Sequence, residues 1–179
     1  MNILLSWSKK EHSLAVRLLV MVFAGLLFVF LIPYTLIIPV HRLDSLLHLP
    51  SFFFGLSNYI AGGAMILYGL FFGWWSIGIQ LFEANGTPLP MMPTQKLLIS
   101  GPFQYCRNPM TFGTIWAYAG IGVMVGSLAA LLAVAFFAGF LITYIKRVEE
   151  HELSIRFGQE YLDYKASTPF LFPRFGRRK

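Results

Sequence analysis

Residues 111–145 of this 179-residue chain include no Asp, Glu, Lys or Arg, and an apolar stretch of that length has few possible fates. As one helix it would be roughly 50 Å long at about 1.5 Å per residue, whereas a bilayer's hydrocarbon core is about 30 Å thick. It is therefore expected to fold back on itself, with Gly126-Ser127 near its middle as the turn. Gly113, Gly120 and Gly122 would let the two arms of that hairpin approach closely. Two further apolar runs, residues 14–40 and 51–82, precede it, and each exceeds the roughly 20 residues a helical crossing needs. The first is too long for a signal-peptide core of about 7–15 residues, and no small-residue cleavage site follows it. The expected fold is all-α and integral to the membrane, with about four transmembrane helices including a C-terminal helical hairpin.

Composition excludes the main alternatives. With 56% hydrophobic and 12% charged residues the chain is too apolar for a soluble globule. A single Cys excludes an internal disulfide framework, and 17% aromatic residues exclude a disordered chain. A net charge of +6 would suggest nucleic acid in a soluble protein, but here the basic residues flank apolar spans, where they set topology and meet anionic lipid. Four spans place 13 of the 14 Lys and Arg on one side and only Arg42 on the other. By the bias of these residues toward the cytoplasm, both termini and the loop over residues 83–110 are expected in the cytosol.

That loop contains Pro88, Pro90, Pro93, Pro102 and Pro109, interleaved with Gly86 and Gly101. Each proline fixes φ and biases its predecessor toward extended backbone, so the chain is stiff and its peptide groups are free to face a ligand. A rigid connector that only orders the helix ends is the other reading. At its end stands GPFQYCRNPMTFG. Pro109 suits the first turn of a helix and Asn108 its N-cap, with Arg107 reaching to headgroups. The same cap leaves N–H donors at a helix N-terminus beside a guanidinium, which suits a carboxylate or phosphate.

Beyond the hairpin, five of the chain's eight acidic residues lie between Glu149 and Asp163. On a continuing helix, Lys146 can pair with Glu150, and Glu152 with Arg156, at i to i+4, giving a solvated charged face. Alternatively one or both of Glu149 and Glu150 point into the mouth of the bundle, where ionisable groups are often functional. His12, His41, His48 and His151 are too dispersed for a metal cluster, so no metal is expected, and Cys106 is read as structural.

GPFQYCRNPMTFG, followed after the hairpin by VEEHELSIRFGQEYLDYKASTPFLFP, resembles the C-terminal half of the isoprenylcysteine carboxyl methyltransferase and phospholipid methyltransferase superfamily of membrane enzymes. The signature of that superfamily is Gly-Pro-aromatic-x-Tyr, Arg-His-Pro-x-Tyr-x-Gly, a hairpin, Glu-Glu, Phe-Gly-x-x-Tyr-x-x-Tyr and a Pro-containing tail. Asn108 stands where many members have His, and Thr111 where many have Tyr; the resemblance covers about residues 86–174.

The resemblance implies an S-adenosylmethionine-dependent methyltransferase that acts on an apolar or lipid-borne acceptor, such as an isoprenylcysteine carboxylate, a lipid amine or a thiol. With no internal repeat and no composition break, the chain is expected to form one membrane domain over residues 1–179, with two spans in 1–82 and, as the resemblance implies, the cofactor-binding loop, hairpin and cytosolic tail in 83–179. The implied cofactor-binding residues are Gly101, Tyr105, Arg107, Asn108, Pro109, Gly113, Glu149, Glu150, Tyr161 and Tyr164, with Arg107 and Glu150 catalytic. Asn108 and Arg107 suit the cofactor's carboxylate, Glu149 or Glu150 its ammonium or ribose, and Phe103, Tyr105, Tyr161 or Tyr164 its adenine. Methyl transfer requires alignment and a dry site and needs no metal. The rival readings are a sterol-type membrane reductase using NADPH and a non-catalytic membrane scaffold.

Overall fold

The computed structural model describes residues 14–84 and 94–175. Lys9, Lys10, His12, Gly86, Pro88, Pro90, Pro93, Arg177, Arg178 and Lys179 lie outside the described residues.

The first helix, α1, is a continuous rod. It passes through regular segments Leu14–Gly25, Ile32–Thr35 and His41–Leu46, joined by wider π-type turns at Leu26–Leu31 and Leu36–Val40. The wide turns accompany Pro33 and Pro39, which have no N–H to give the helical ladder. One carbonyl in the first wide turn, that of Phe28, accepts a hydrogen bond from the Tyr118 hydroxyl at 2.7 Å. That satisfies a polar group where lipid offers no partner. The rod outlasts the apolar run and ends at Leu46, with Asp44 buried in its last turns. Its Oδ1 accepts the Ala129 backbone N–H at 2.8 Å, setting a negative charge on the start of the fourth helix.

Helix α2 is Leu56–Phe82, α3 is Pro109–Val125 and α4 is Leu128–Tyr144. The α3–α4 turn forms at Gly126-Ser127, as the sequence requires. Gly126 takes φ +66°, which an L side chain resists, and the Ser127 Oγ caps α4 by accepting the Ala130 N–H at 3.0 Å. Two of the glycines expected inside this hairpin serve a different contact. Gly113 and Gly120 face Gly69 and Gly62 of α2, and a Cβ at Gly62 would lie 2.5 Å from the Gly120 carbonyl oxygen. Only Gly122 meets α4, at Leu131. Both glycine pairs are seven residues apart, so each helix presents one small-residue stripe to the other and the backbones touch.

From α4 the chain continues through a wide turn at Ile145–Glu149 into α5, Glu150–Ser167. At Gly158 the backbone leaves helical geometry (φ +53°, ψ −129°) and α5 bends. The tail then runs back to the bundle, where Leu171 packs with Phe72 of α2 and Phe112 of α3. The rod from Leu18 to Leu46, α2, and the helix beginning at Leu128 are each long and apolar enough to cross a membrane. Helix α3 is shorter, 17 residues or about 25 Å. The protein is an all-α integral membrane protein.

Candidate functional site

The polar loop enters the site through a closed base, where the Gln95 N–H donates to the Ala84 carbonyl at 2.8 Å. Ser100 donates to Glu83 at 2.7 Å, and Arg156 of α5 donates to the Thr94 carbonyl at 2.6 Å. A short 3₁₀ turn, Gly101–Gln104, follows. Gly101 has φ +56° and lies against Ile79 and Trp75, where a Cβ would be only 3.0 Å from the nearest atom. The Tyr105 ring stacks between Trp75 and Phe175, with centroids at 6.1 and 5.0 Å. Cys106 is fully buried, and burial pushes its thiol up to about 12, which makes it a packing residue.

Arg107 is the centre of the site. Its Nη1 donates to Glu150 Oε1 in a close ion pair and reaches the Tyr161 hydroxyl at 3.4 Å, while its Nε donates to the Thr168 carbonyl at 3.1 Å. The second Glu150 oxygen takes the Lys165 ammonium at 2.7 Å. Both members of the Arg107–Glu150 pair are nearly enclosed, with side chains 11% and 8% exposed. Burial, and after it the Glu150 charge, hold the Tyr161 phenol above its ordinary range, so it stays neutral.

The geometry resolves the choice between the adjacent carboxylates: Glu150 turns inward and Glu149 is exposed. It also corrects two pairings. Lys146 does not meet Glu150 but lies over the Phe170 ring at 4.8 Å, because the wide turn at Ile145–Glu149 shifts the angular register on which an i to i+4 pair depends. Asn108 makes no side-chain cap to α3. Its Nδ2 instead donates to the Phe170 carbonyl at 2.9 Å, and Pro109 supplies the pre-set first turn. Glu152 pairs with Arg156 at 3.4 Å as expected.

Arg107, Asn108, Glu150 and Tyr161 thus converge with the tail. Tyr164 joins them through its hydroxyl, which donates to the Phe103 carbonyl at 2.7 Å. Gly101 and Tyr105 stand one layer away against Trp75, Pro109 opens α3, and Gly113 lies in the α2–α3 seam. Sequence reasoning missed Lys165 and Arg174. With Arg107, Ser167, Thr168 and Phe170 these line an open polar cleft of about 330 Å³. Lys165 carried no signal because its partner is 15 positions away, across the Gly158 bend.

A family model described as phospholipid methyltransferase matches residues 57–160, more than half of the chain, including α3, α4 and all of α2 but its first residue. The chain belongs to this family. The matched relatives include a nickel-cobalt-cadmium resistance protein, NccN, of Alcaligenes xylosoxydans xylosoxydans, 38% identical over 81 residues. They also include the protein-S-isoprenylcysteine O-methyltransferase of Mus musculus, 35% identical over 82 residues. These matches cover 44% and 45% of this chain but only 37% and 28% of the respective relatives, so the chain spans well under half the length of the curated proteins it matches. The matched residues of this phospholipid methyltransferase family member include Arg107, Asn108, Glu149 and Glu150.

Proposed function

We propose that this protein is a membrane methyltransferase that takes its methyl group from S-adenosylmethionine and transfers it to an apolar or lipid-borne acceptor. The observation that carries the reading is the polar network in which Glu150 and Tyr161 hold Arg107 and Asn108 holds the Phe170 carbonyl, with Arg107 and Phe170 lining one polar cleft. Family membership supports the reaction class. The residues also suit the cofactor's chemistry. Its carboxylate matches a cleft lined by the cations Arg107, Lys165 and Arg174, and Glu149 is an exposed carboxylate for its ammonium or ribose. When bound, S-adenosylmethionine supplies a methyl group on a sulfonium, which an in-line nucleophile can take.

The remaining work falls to the chain. Arg107 and Asn108 hold the carboxylate end, and Gly101, Tyr105, Pro109, Tyr161 and Tyr164 shape the enclosure, with Gly113 fixing α3 against α2. Glu150 acts through Arg107: it holds the guanidinium in one orientation, from which Arg107 can also orient an anionic acceptor. The aromatic residues around Tyr105 and Phe112 exclude water from the transfer. In this reading four helices cross the membrane and the site, both termini and the loop face the cytosol.

Isothermal titration of the purified protein in lipid nanodiscs with S-adenosylhomocysteine, and separately with NADPH, tests the proposal. Saturable binding of the first alone is expected; binding of NADPH alone would transfer the protein to the reductase reading, and binding of neither would favour a scaffold.

A further inference from the structure

A carboxylate that meets a guanidinium frequently takes it in a fork, with two parallel N–H···O bonds. Glu150 and Arg107 do not form one. Only Arg107 Nη1 meets Glu150, through Oε1, while Oε2 is held by the Lys165 ammonium at 2.7 Å. Arg107 Nε is taken by the Thr168 carbonyl, so among the described residues Nη2 is the guanidinium nitrogen left without a hydrogen-bond partner. Arg107 and Lys165 both line the polar cleft, which therefore holds two cations against the single carboxylate between them.

The second half of α5 keeps the fork open. Beyond the Gly158 bend, Tyr161 and Lys165 stand four positions apart and so share one face of the helix. Tyr161 is buried, with its hydroxyl 3.4 Å from Arg107 Nη1. One turn on, Lys165 reaches Glu150 with its own side chain 43% exposed. Its ammonium competes with the guanidinium for the second carboxylate oxygen. Without that competitor, the strongest donor left to Oε2 is the vacant Nη2 of the same Arg107, and a closed fork satisfies both groups within the protein.

We propose that Lys165 is a positioning residue for cofactor binding: by holding Glu150 Oε2 it limits that carboxylate to one bond with Arg107 and leaves Nη2 for the carboxylate of S-adenosylmethionine. The proposal rests on the reading that this carboxylate binds at Arg107. It separates stability from affinity. Removing a lysine that merely braced the fold would lower the melting temperature, whereas here the fork that closes in its absence offsets the lost contact, and only the ligand's donor is lost.

Titration of S-adenosylhomocysteine into the full chain in nanodiscs, with a melting temperature for each protein, tests this. Lys165→Met keeps the length of the stem and removes the charge. It is expected to bind roughly tenfold more weakly than wild type and to melt within about 2 °C of it. Lys165→Arg, which can still hold Oε2, should retain most of the affinity. A double-mutant cycle in the Glu150→Gln background separates positioning from direct contact. With no carboxylate there to close on Arg107, adding Lys165→Met should change affinity by less than about twofold. Should Glu150→Gln fail to fold, the comparison of methionine with arginine at 165 decides. Unchanged affinity in Lys165→Met overturns the proposal, as does a full tenfold loss in the Glu150→Gln background, which would place the ammonium directly on the ligand. A weaker-binding Lys165→Met that also melts more than about 5 °C below wild type would make the lysine an ordinary brace and overturns it too. Absence of binding by wild type refutes the S-adenosylmethionine reading and this inference with it, whereas equal binding by wild type and Lys165→Met removes the positioning role alone.

Discussion

Replacing Glu150 by alanine removes one half of a pair whose other half stays behind. The Arg107 side chain is 11% exposed, and in Glu150→Ala it retains the Thr168 carbonyl, the Tyr161 hydroxyl and the face of the Phe170 ring, none of them charged. One-sided removal of a buried ion pair costs about 3–5 kcal/mol. Lys165, whose side chain is 43% exposed, turns to water and adds little. For a chain of this size each kcal/mol lowers Tm by roughly 2–4 °C, so Glu150→Ala is expected to unfold roughly 6–20 °C below wild type. Thermal unfolding in nanodiscs, followed by tryptophan fluorescence, reads the shift. Glu152→Ala is the control, since its partner is Arg156 in an exposed i to i+4 pair and its loss costs about 0.3–0.5 kcal/mol. Replacing both partners, Arg107→Leu with Glu150→Leu, should recover most of the stability while leaving the cleft without its central cation. A Glu150→Ala melting point within about 2 °C of wild type, or equal shifts at Glu150 and Glu152, would refute the account of a buried pair.

Four further outcomes are expected. Gly69→Ala sets a Cβ against the Gly113 carbonyl and Ala117 and should cost about 1–3 kcal/mol by overpacking, whereas Gly73→Ala meets nothing within 4 Å and should leave Tm unchanged or raised; equal losses would discount the glycine seam. Because burial raises the Cys106 thiol to about 12, its reactive thiolate is scarce at pH 8 and increases only as pH rises toward that value; maleimide labelling of the native protein should be negligible until heat unfolds it, and rapid native labelling would contradict the burial. Asn108→Leu should reduce S-adenosylhomocysteine affinity, while Asn108→His, which keeps a donor, should retain much of it; full activity in the leucine variant would make Asn108 a bystander. Reporter fusions after Lys179 and near His48 should report opposite sides of the membrane, and the same side would refute four crossings.

The features legible in the sequence are those with local causes. A charge-free run too long for one crossing, with Gly-Ser at its middle, has one economical solution, and the left-handed Gly126 and capping Ser127 adopt it. Gly113 and Gly120 are legible as small residues that admit a close neighbour, but small residues do not name their partner, and α2 carries a matching pair in Gly62 and Gly69. At the site, the residue types in the Arg-Asn-Pro and Glu-Glu motifs were readable. The choice between Glu149 and Glu150 was not, because it depends on the wide turn at Ile145–Glu149, which has no residue signature. The same turn takes Lys146 away from Glu150, and the Gly158 bend brings Lys165 to it. The tail contributes mainly backbone carbonyls to Arg107 and Asn108, and peptide groups leave no trace in side-chain patterns.

The central claim is that the cleft around Arg107 binds the methyl donor. Titration of S-adenosylhomocysteine into wild-type protein and into the stability-restored Arg107→Leu/Glu150→Leu variant, both in nanodiscs, tests it most directly. Removing a charge-assisted contact worth about 1.5–3 kcal/mol lowers affinity by roughly tenfold to a hundredfold, so the account predicts saturable binding by wild type and a loss of that size in the variant. Equal binding by the two proteins, or no binding by either, would contradict it.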